Sequence, residues 1–282
     1  AEEQPRTAVT AGLAGTFAFM YLTLEVVSKL GYSAMQKLGV YPWVIGTSYM
    51  CLGMLAWLGM FRVFRLGSEK CPSSPLRKVW AVTSLWSDPN IWLLAPTNLS
   101  FGFAAAFMNG YVNSMFTRRE LGPDSVGALA AVTAATAALL ARPFGALSKR
   151  TGKGFLVVVG ASCFLCVPLC IFALGCCEGW GMWLVSLYLL QGIGRAVYES
   201  TNRAIFSDFF TEETEGAFAN CMLQSSLSFA ICFFLQPNLT GCTLAYIVLI
   251  LAAVTPVSYA AARTLRRNRM RRRKEQDCFN RC

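Results

Sequence analysis

The sequence predicts an all-α protein, a polytopic bundle of about eight membrane-crossing helices. Of its 282 residues 55% are hydrophobic and only 14% charged, against about 25% charged in an ordinary soluble domain. Mean hydropathy is +0.47. The apolar residues fall in long runs, each near the ~20 residues that a helix needs to cross hydrocarbon. Runs such as 155–174 show no alternation of apolar with polar residues, which argues against membrane strands.

In chain order the spans fall at 9–30, 44–64, 91–116, 126–147, 155–174, 182–206, 216–235 and 244–262. The longest connection, GSEKCPSSPLRKVWAVTSLWSDPN, separates the second from the third. Its Pro-Ser-Ser-Pro core breaks regular structure, and 76–86 suits a short helix lying on the membrane surface.

Short loops fix an expected orientation. If the chain enters from the cytoplasm, the inner side receives Arg6, then Arg62, Arg65, Lys70, Arg77 and Lys78, then Lys149, Arg150 and Lys153. The outer side receives Lys37, Arg118 and Arg119, with Lys29 near that boundary. The positive-inside bias then places both termini in the cytoplasm. From Arg263 onward the tail holds nine lysines and arginines against Glu275 and Asp277. Beside a membrane helix such a tail is expected to contact anionic headgroups. Nucleic-acid binding is not expected where everything before the tail is lipid-soluble.

The chain has twelve cysteines and no histidine. Cys163, Cys166 and Cys170 recur at helical spacing among apolar residues, as small hydrophobes do. No metal, cofactor or enzymatic nucleophile is expected. Cys176, Cys177 and Cys242 share the outer side, where a disulfide to Cys242 and free interfacial thiols are both open readings. Asn98 and Asn238 match the glycosylation pattern. The first lies inside a span and the second in a very short loop, so neither is expected to be modified.

The sixth span is unusual. LLQGIGRAVYESTNR carries Arg195 near mid-membrane, where an unpaired arginine costs about 2.5–3.5 kcal/mol or more. Gln191, Arg195, Glu199 and Asn202 are spaced to share one helical face. Glu199 is therefore the expected counter-ion of Arg195. The pair has two open roles. It is a structural clamp, tied to the third span through Asn109 or Asn113, or it lines a substrate path in which Glu199 carries protons. Glu25 and Lys29 repeat the theme near the outer end of the first span, where a snorkelling interfacial role is expected.

Between the fourth and fifth spans runs Arg142-Pro-Phe-Gly-Ala-Leu-Ser-Lys-Arg-Thr-Gly-Lys153. Gly145 permits close helix approach and Gly152 a tight turn. The run resembles the signature loop of the major facilitator superfamily. The resemblance implies a gating role for Arg142, Gly145, Lys149, Arg150, Gly152 and Lys153. Ser148 and Lys149 stand where that loop has residues around an aspartate, which removes the aspartate's charge relay.

The sixth span and its continuation, QGIGRAVYESTNRAIFSDFFTEETEGAFAN, resemble the Unc-93-like family of that superfamily. The likeness rests on Gly194-Arg195, Tyr198 to Asn202, Asp208-Phe209-Phe210, Glu215 and the run ending at Asn220. Gly102, Ala106, Phe107, Gly110 and Asn113 extend it upstream. The resemblance implies that 91–262 is the C-terminal six-helix half of a twelve-helix fold and 1–65 the last two helices of the N-terminal half. Residues 66–90 are then the central cytoplasmic loop and 263–282 a basic tail. With eight spans of twelve, a fragment or a reduced relative is expected. The resemblance further implies movement of a small solute by alternating access, or a non-transporting partner that regulates or escorts another membrane protein.

Overall fold

The computed structural model describes residues 6–62, 75–175 and 179–279. Among them there is no strand. Two long helices open the chain, α1 (Arg6–Lys37) and α2 (Pro42–Met60). A short helix α3 (Pro75–Ser84) follows. The helix α4 starts at Pro89 with Asp88 as its cap, whose carboxylate accepts from the Asn90 backbone N–H at 3.0 Å. It runs unbroken to Glu120, passing through a π-helical stretch at Met108–Thr117. Then come α5 (Asp124–Thr151) and α6 (Lys153–Leu174), joined at Gly152, whose φ of 83° favours glycine. The helix α7 begins at Leu184 and ends at Phe209, with a π-helical segment at Val197–Asn202. Helices α8 (Thr214–Leu235) and α9 (Gly241–Phe279) complete the chain.

Seven of these helices are long and apolar enough to span a bilayer. The remaining expected span, the sixth, is α7, which is continuous but carries π geometry and charge. The protein is a multi-pass integral membrane protein. One boundary moves well beyond expectation. α9 does not stop where the basic residues begin but carries them on a helix as far as Phe279. The cysteines expected to face Cys242, Cys176 and Cys177, lie outside the described residues.

Packing places α4 between α8 and α9, α5 between α1 and α7, and α6 against α7 and α9. Lipid tails supply no hydrophobic drive between helices, so close backbone approach matters. A Cβ on Gly15 would lie 2.9 Å from the Ala141 carbonyl oxygen, and one on Gly145 2.9 Å from that of Ala11. Glycine at these two positions lets α1 and α5 touch backbone to backbone. The core between α4, α7 and α9 holds Phe107, Leu184, Leu187 and Leu244, all fully buried. α2 differs. Only Ile45 is buried, while Trp43, Met50 and Trp57 are exposed, as on a helix facing lipid.

Candidate functional site

The structure keeps the expected Arg195–Glu199 ion pair only as a 3.9 Å contact and gives Arg195 a closer partner. Arg195 reaches across to α1 and grips Glu25 with both terminal nitrogens, at 2.8 and 2.5 Å. Its Nε lies 3.9 Å from Glu199, beyond hydrogen-bond reach. Glu199 instead accepts from Arg203, one turn further along α7, at 2.6 Å. The physical reason is the π segment, which opens immediately after Ala196. An i→i+5 turn holds more residues than an α turn, so positions beyond it rotate away from the face that α spacing assigns. Arg195 sits before that rotation and Glu199 inside it. Glu25 also takes Lys29 at 2.8 Å, so these two residues form a shared charge centre with Arg195.

The other expected site residues scatter accordingly. Asn202 is fully buried and donates to Asn98 at 2.8 Å, and Asn98 donates to Gln224 at 2.6 Å. These three amides knit α7, α4 and α8 together, away from Arg195. Burial of Asn98 also removes it as a glycosylation acceptor. Asn113 accepts from the Tyr188 hydroxyl rather than from Arg195. Asn109, Gln191 and Arg195 do converge, with Glu25 and Lys29, around a cavity of about 200 Å³. Polar lining comes from α1 and α7. Apolar lining comes from Phe101, Ala105 and Met108 of α4, beside Asn109, and from Phe229 of α8. Gln191 is 3% exposed and its Oε1 has no hydrogen-bond partner.

A second cluster lies at the end of the bundle where the basic residues gather. Lys153, at the start of α6, contacts Asp208 of α7 at 2.5 Å and the Ala204 carbonyl at 3.2 Å. Thr10 of α1 donates to the other Asp208 oxygen at 2.9 Å. Arg266 of α9 donates to the Asp208 backbone carbonyl at 2.6 Å and lies over the Phe209 ring. Of the expected gating residues, Lys153 is thus engaged, Gly145 makes the close approach to α1, and Gly152 makes the turn. Arg142 lies over the Phe19 ring at 5.2 Å, and Lys149 and Arg150 are exposed.

Asn220 has a structural task. It accepts from the Trp86 indole at 2.7 Å and donates to the Val82 carbonyl at 2.9 Å, pinning the α3 region to α8. Glu215 is exposed in the first turn of α8. Sequence reasoning missed Glu25 as the Arg195 partner and Asp208 as the Lys153 partner. For Glu25 the available signal was Lys29 one helical turn away inside an apolar span, whereas Asp208 and Lys153 lie 55 positions apart and share no local spacing. Among the described residues no group of His, Cys, Asp or Glu is placed to hold a metal.

A bundle of this kind, with an ionised cavity between helices, invites comparison with known membrane proteins. Residues 99–277 match the family model of the Major Facilitator Superfamily. The chain belongs to that superfamily. Within it the chain is Unc-93-like. It is 27% identical to protein unc-93 homolog A of Danio rerio over 64% of this chain and 38% of that protein. To the Mus musculus homolog it is 30% identical over 64% of this chain and 40% of the relative. To the Homo sapiens homolog it is 29% identical over 62% and 38%. The chain spans about two fifths of the length of these facilitator relatives. No solved structure matches it.

Proposed function

We propose that this facilitator chain forms part of a solute path that works by alternating access. The single observation that supports it most is the cavity bounded by the Glu25/Arg195 ion pair. A cavity of about 200 Å³ is far larger than the ≳10–15 Å³ needed for one water. Ionised groups within a bilayer are costly and belong by default to substrate or ion pathways.

The two clusters supply a gate. Both tie α1 to α7, one beside the cavity and one at the basic end. Opening the basic end requires the contacts of Asp208 with Thr10 and Lys153 to separate, while the cavity pair holds α1 in place. On the positive-inside bias the basic end is cytoplasmic, and so are both termini of this chain. In this reading 1–65 ends an N-terminal half, 66–90 is the central loop, 91–262 is the C-terminal half, and the basic end of α9 meets anionic lipid.

The test needs no known solute. Ala105, in the apolar cavity lining, is replaced by cysteine in a background without reactive native cysteines. A membrane-impermeant maleimide is then applied from each side of reconstituted vesicles. Alternating access predicts labelling from both sides, with Asp208→Asn raising labelling from the basic side. Labelling confined to one side in both proteins overturns the proposal. The rival role, a non-transporting partner of another membrane protein, draws on the exposed apolar surface of α2. It predicts one-sided labelling together with stable co-purification of a second membrane protein.

A further inference from the structure

The charges around the cavity do not balance. Lys29 and Arg195 line it with a single carboxylate, Glu25. Glu25 already serves both cations, through two bonds to Arg195 and one to Lys29. The nearest further carboxylate, Glu199, is not on the cavity wall and is held by Arg203 at 2.6 Å. Adding Glu199 and Arg203 to the count therefore leaves the same surplus of one positive charge. A surplus cation that is partly withdrawn from water, as Lys29 is at 30% exposure, favours an anion entering the cavity.

Two further observations narrow the class. The same cavity is also lined by Phe101 and Phe229. Phe101 is fixed by stacking on Tyr198, with ring centres 3.8 Å apart, so that part of the lining is a rigid apolar platform. In the same lining the Gln191 amide, almost fully buried, presents an oxygen without a donor. Leaving such an acceptor unpaired costs about 1–3 kcal/mol.

From these we infer that the cavity binds a small organic monocarboxylate whose body is apolar and which carries a hydroxyl or amine donor beside its carboxylate. The carboxylate meets Lys29 and the outer edge of Arg195, the donor meets Gln191, and the apolar body lies on Phe101 and Phe229. The inference deepens the solute-path reading and rests on it.

Four probes of similar size test it on the purified chain in detergent, by equilibrium binding. They are mandelate, phenylacetate, benzamide and benzylamine. Mandelate is expected to bind best, phenylacetate several-fold more weakly for lack of the hydroxyl, and the neutral and cationic probes not measurably. Lys29→Gln is expected to weaken mandelate by about tenfold or more, while Lys29→Arg retains binding. Gln191→Leu is expected to abolish the preference for mandelate over phenylacetate, a readout that general damage to the fold does not mimic. Binding of benzylamine or benzamide as strong as that of mandelate overturns the anion assignment but leaves the cavity a solute path. Binding of none of the four overturns the assignment too, and the two-sided labelling of Ala105→Cys then decides the transport reading on its own.

Discussion

Two carboxylate-centred contacts tie α1 to α7, one ionic through Glu25 and one a hydrogen bond from Thr10 to the Asp208 of an α6–α7 ion pair, and they are packed differently. At the basic end Asp208 is spanned by Thr10 on one oxygen and Lys153 on the other, with both charged side chains close to buried, at 8% and 12% exposure. Nothing there is left for a ligand to do. Beside the cavity, Glu25 and Arg195 remain 25% and 17% exposed, and Gln191 next to them keeps an oxygen without a partner. The chemistry is alike, a carboxylate from one helix and a cation from another. The difference is completeness. A fully satisfied cluster fixes a conformation, whereas an incomplete one is ready to accept something from outside.

The sharpest way to break this comparison is to remove Glu25. Glu25→Leu leaves Arg195 with Glu199 at 3.9 Å as its nearest carboxylate. Loss of one partner of a desolvated pair costs about 3–5 kcal/mol, so the melting temperature in detergent is expected to fall by roughly 10 °C. The double variant with Arg195→Met should recover at least half of that loss, because it removes the stranded charge. A single variant as stable as the parent would make Glu199 the true counter-ion and return the pairing to the one that helical spacing alone suggests.

That contrast also shows what was legible in the sequence. The helical class and the placing of eight spans followed from run length, because hydrocarbon thickness acts on every segment independently. The intramembrane charge at Arg195 was legible for the same reason. Its closest partner was not. The choice between Glu199 and Glu25 depends on a π turn at Val197–Asn202 and on α1 lying against α7, and neither is encoded in local spacing. Lys153 was read as part of a basic turn, yet its function depends on an aspartate 55 positions away. Local patterns state that a charge must be neutralised but do not name the residue that does it.

The closed end supplies the next test. Asp208→Asn keeps the shape and the hydrogen bond to Thr10 but removes the charge facing Lys153. Lys153 retains the Ala204 carbonyl and Thr10. The expected stability loss is about 1–3 kcal/mol, smaller than for Glu25→Leu. The functional effect should be larger, as several-fold faster labelling of Ala105→Cys from the basic side. If Glu25→Leu opens that side equally well, the two clusters are not functionally distinct and the gate is not localised at Asp208.

The smallest effects are expected at the rim, where the charges are in water. Arg269 on α9 meets Asp88 at 2.9 Å, with the two side chains 47% and 31% exposed. Exposed pairs of this kind contribute about 0–1 kcal/mol, so Arg269→Ala should leave the melting temperature nearly unchanged. Asp88→Ala should cost more, about 1 kcal/mol, because it also removes the cap on the first turn of α4. The excess should persist at high salt, since a capping hydrogen bond is screened far less than an exposed ion pair. Equal losses for the two variants, both vanishing with salt, would mean that the ion pair and not the cap holds α4 at this end. The distinction between satisfied and solvated charge drawn from the two α1 contacts would then fail at the rim.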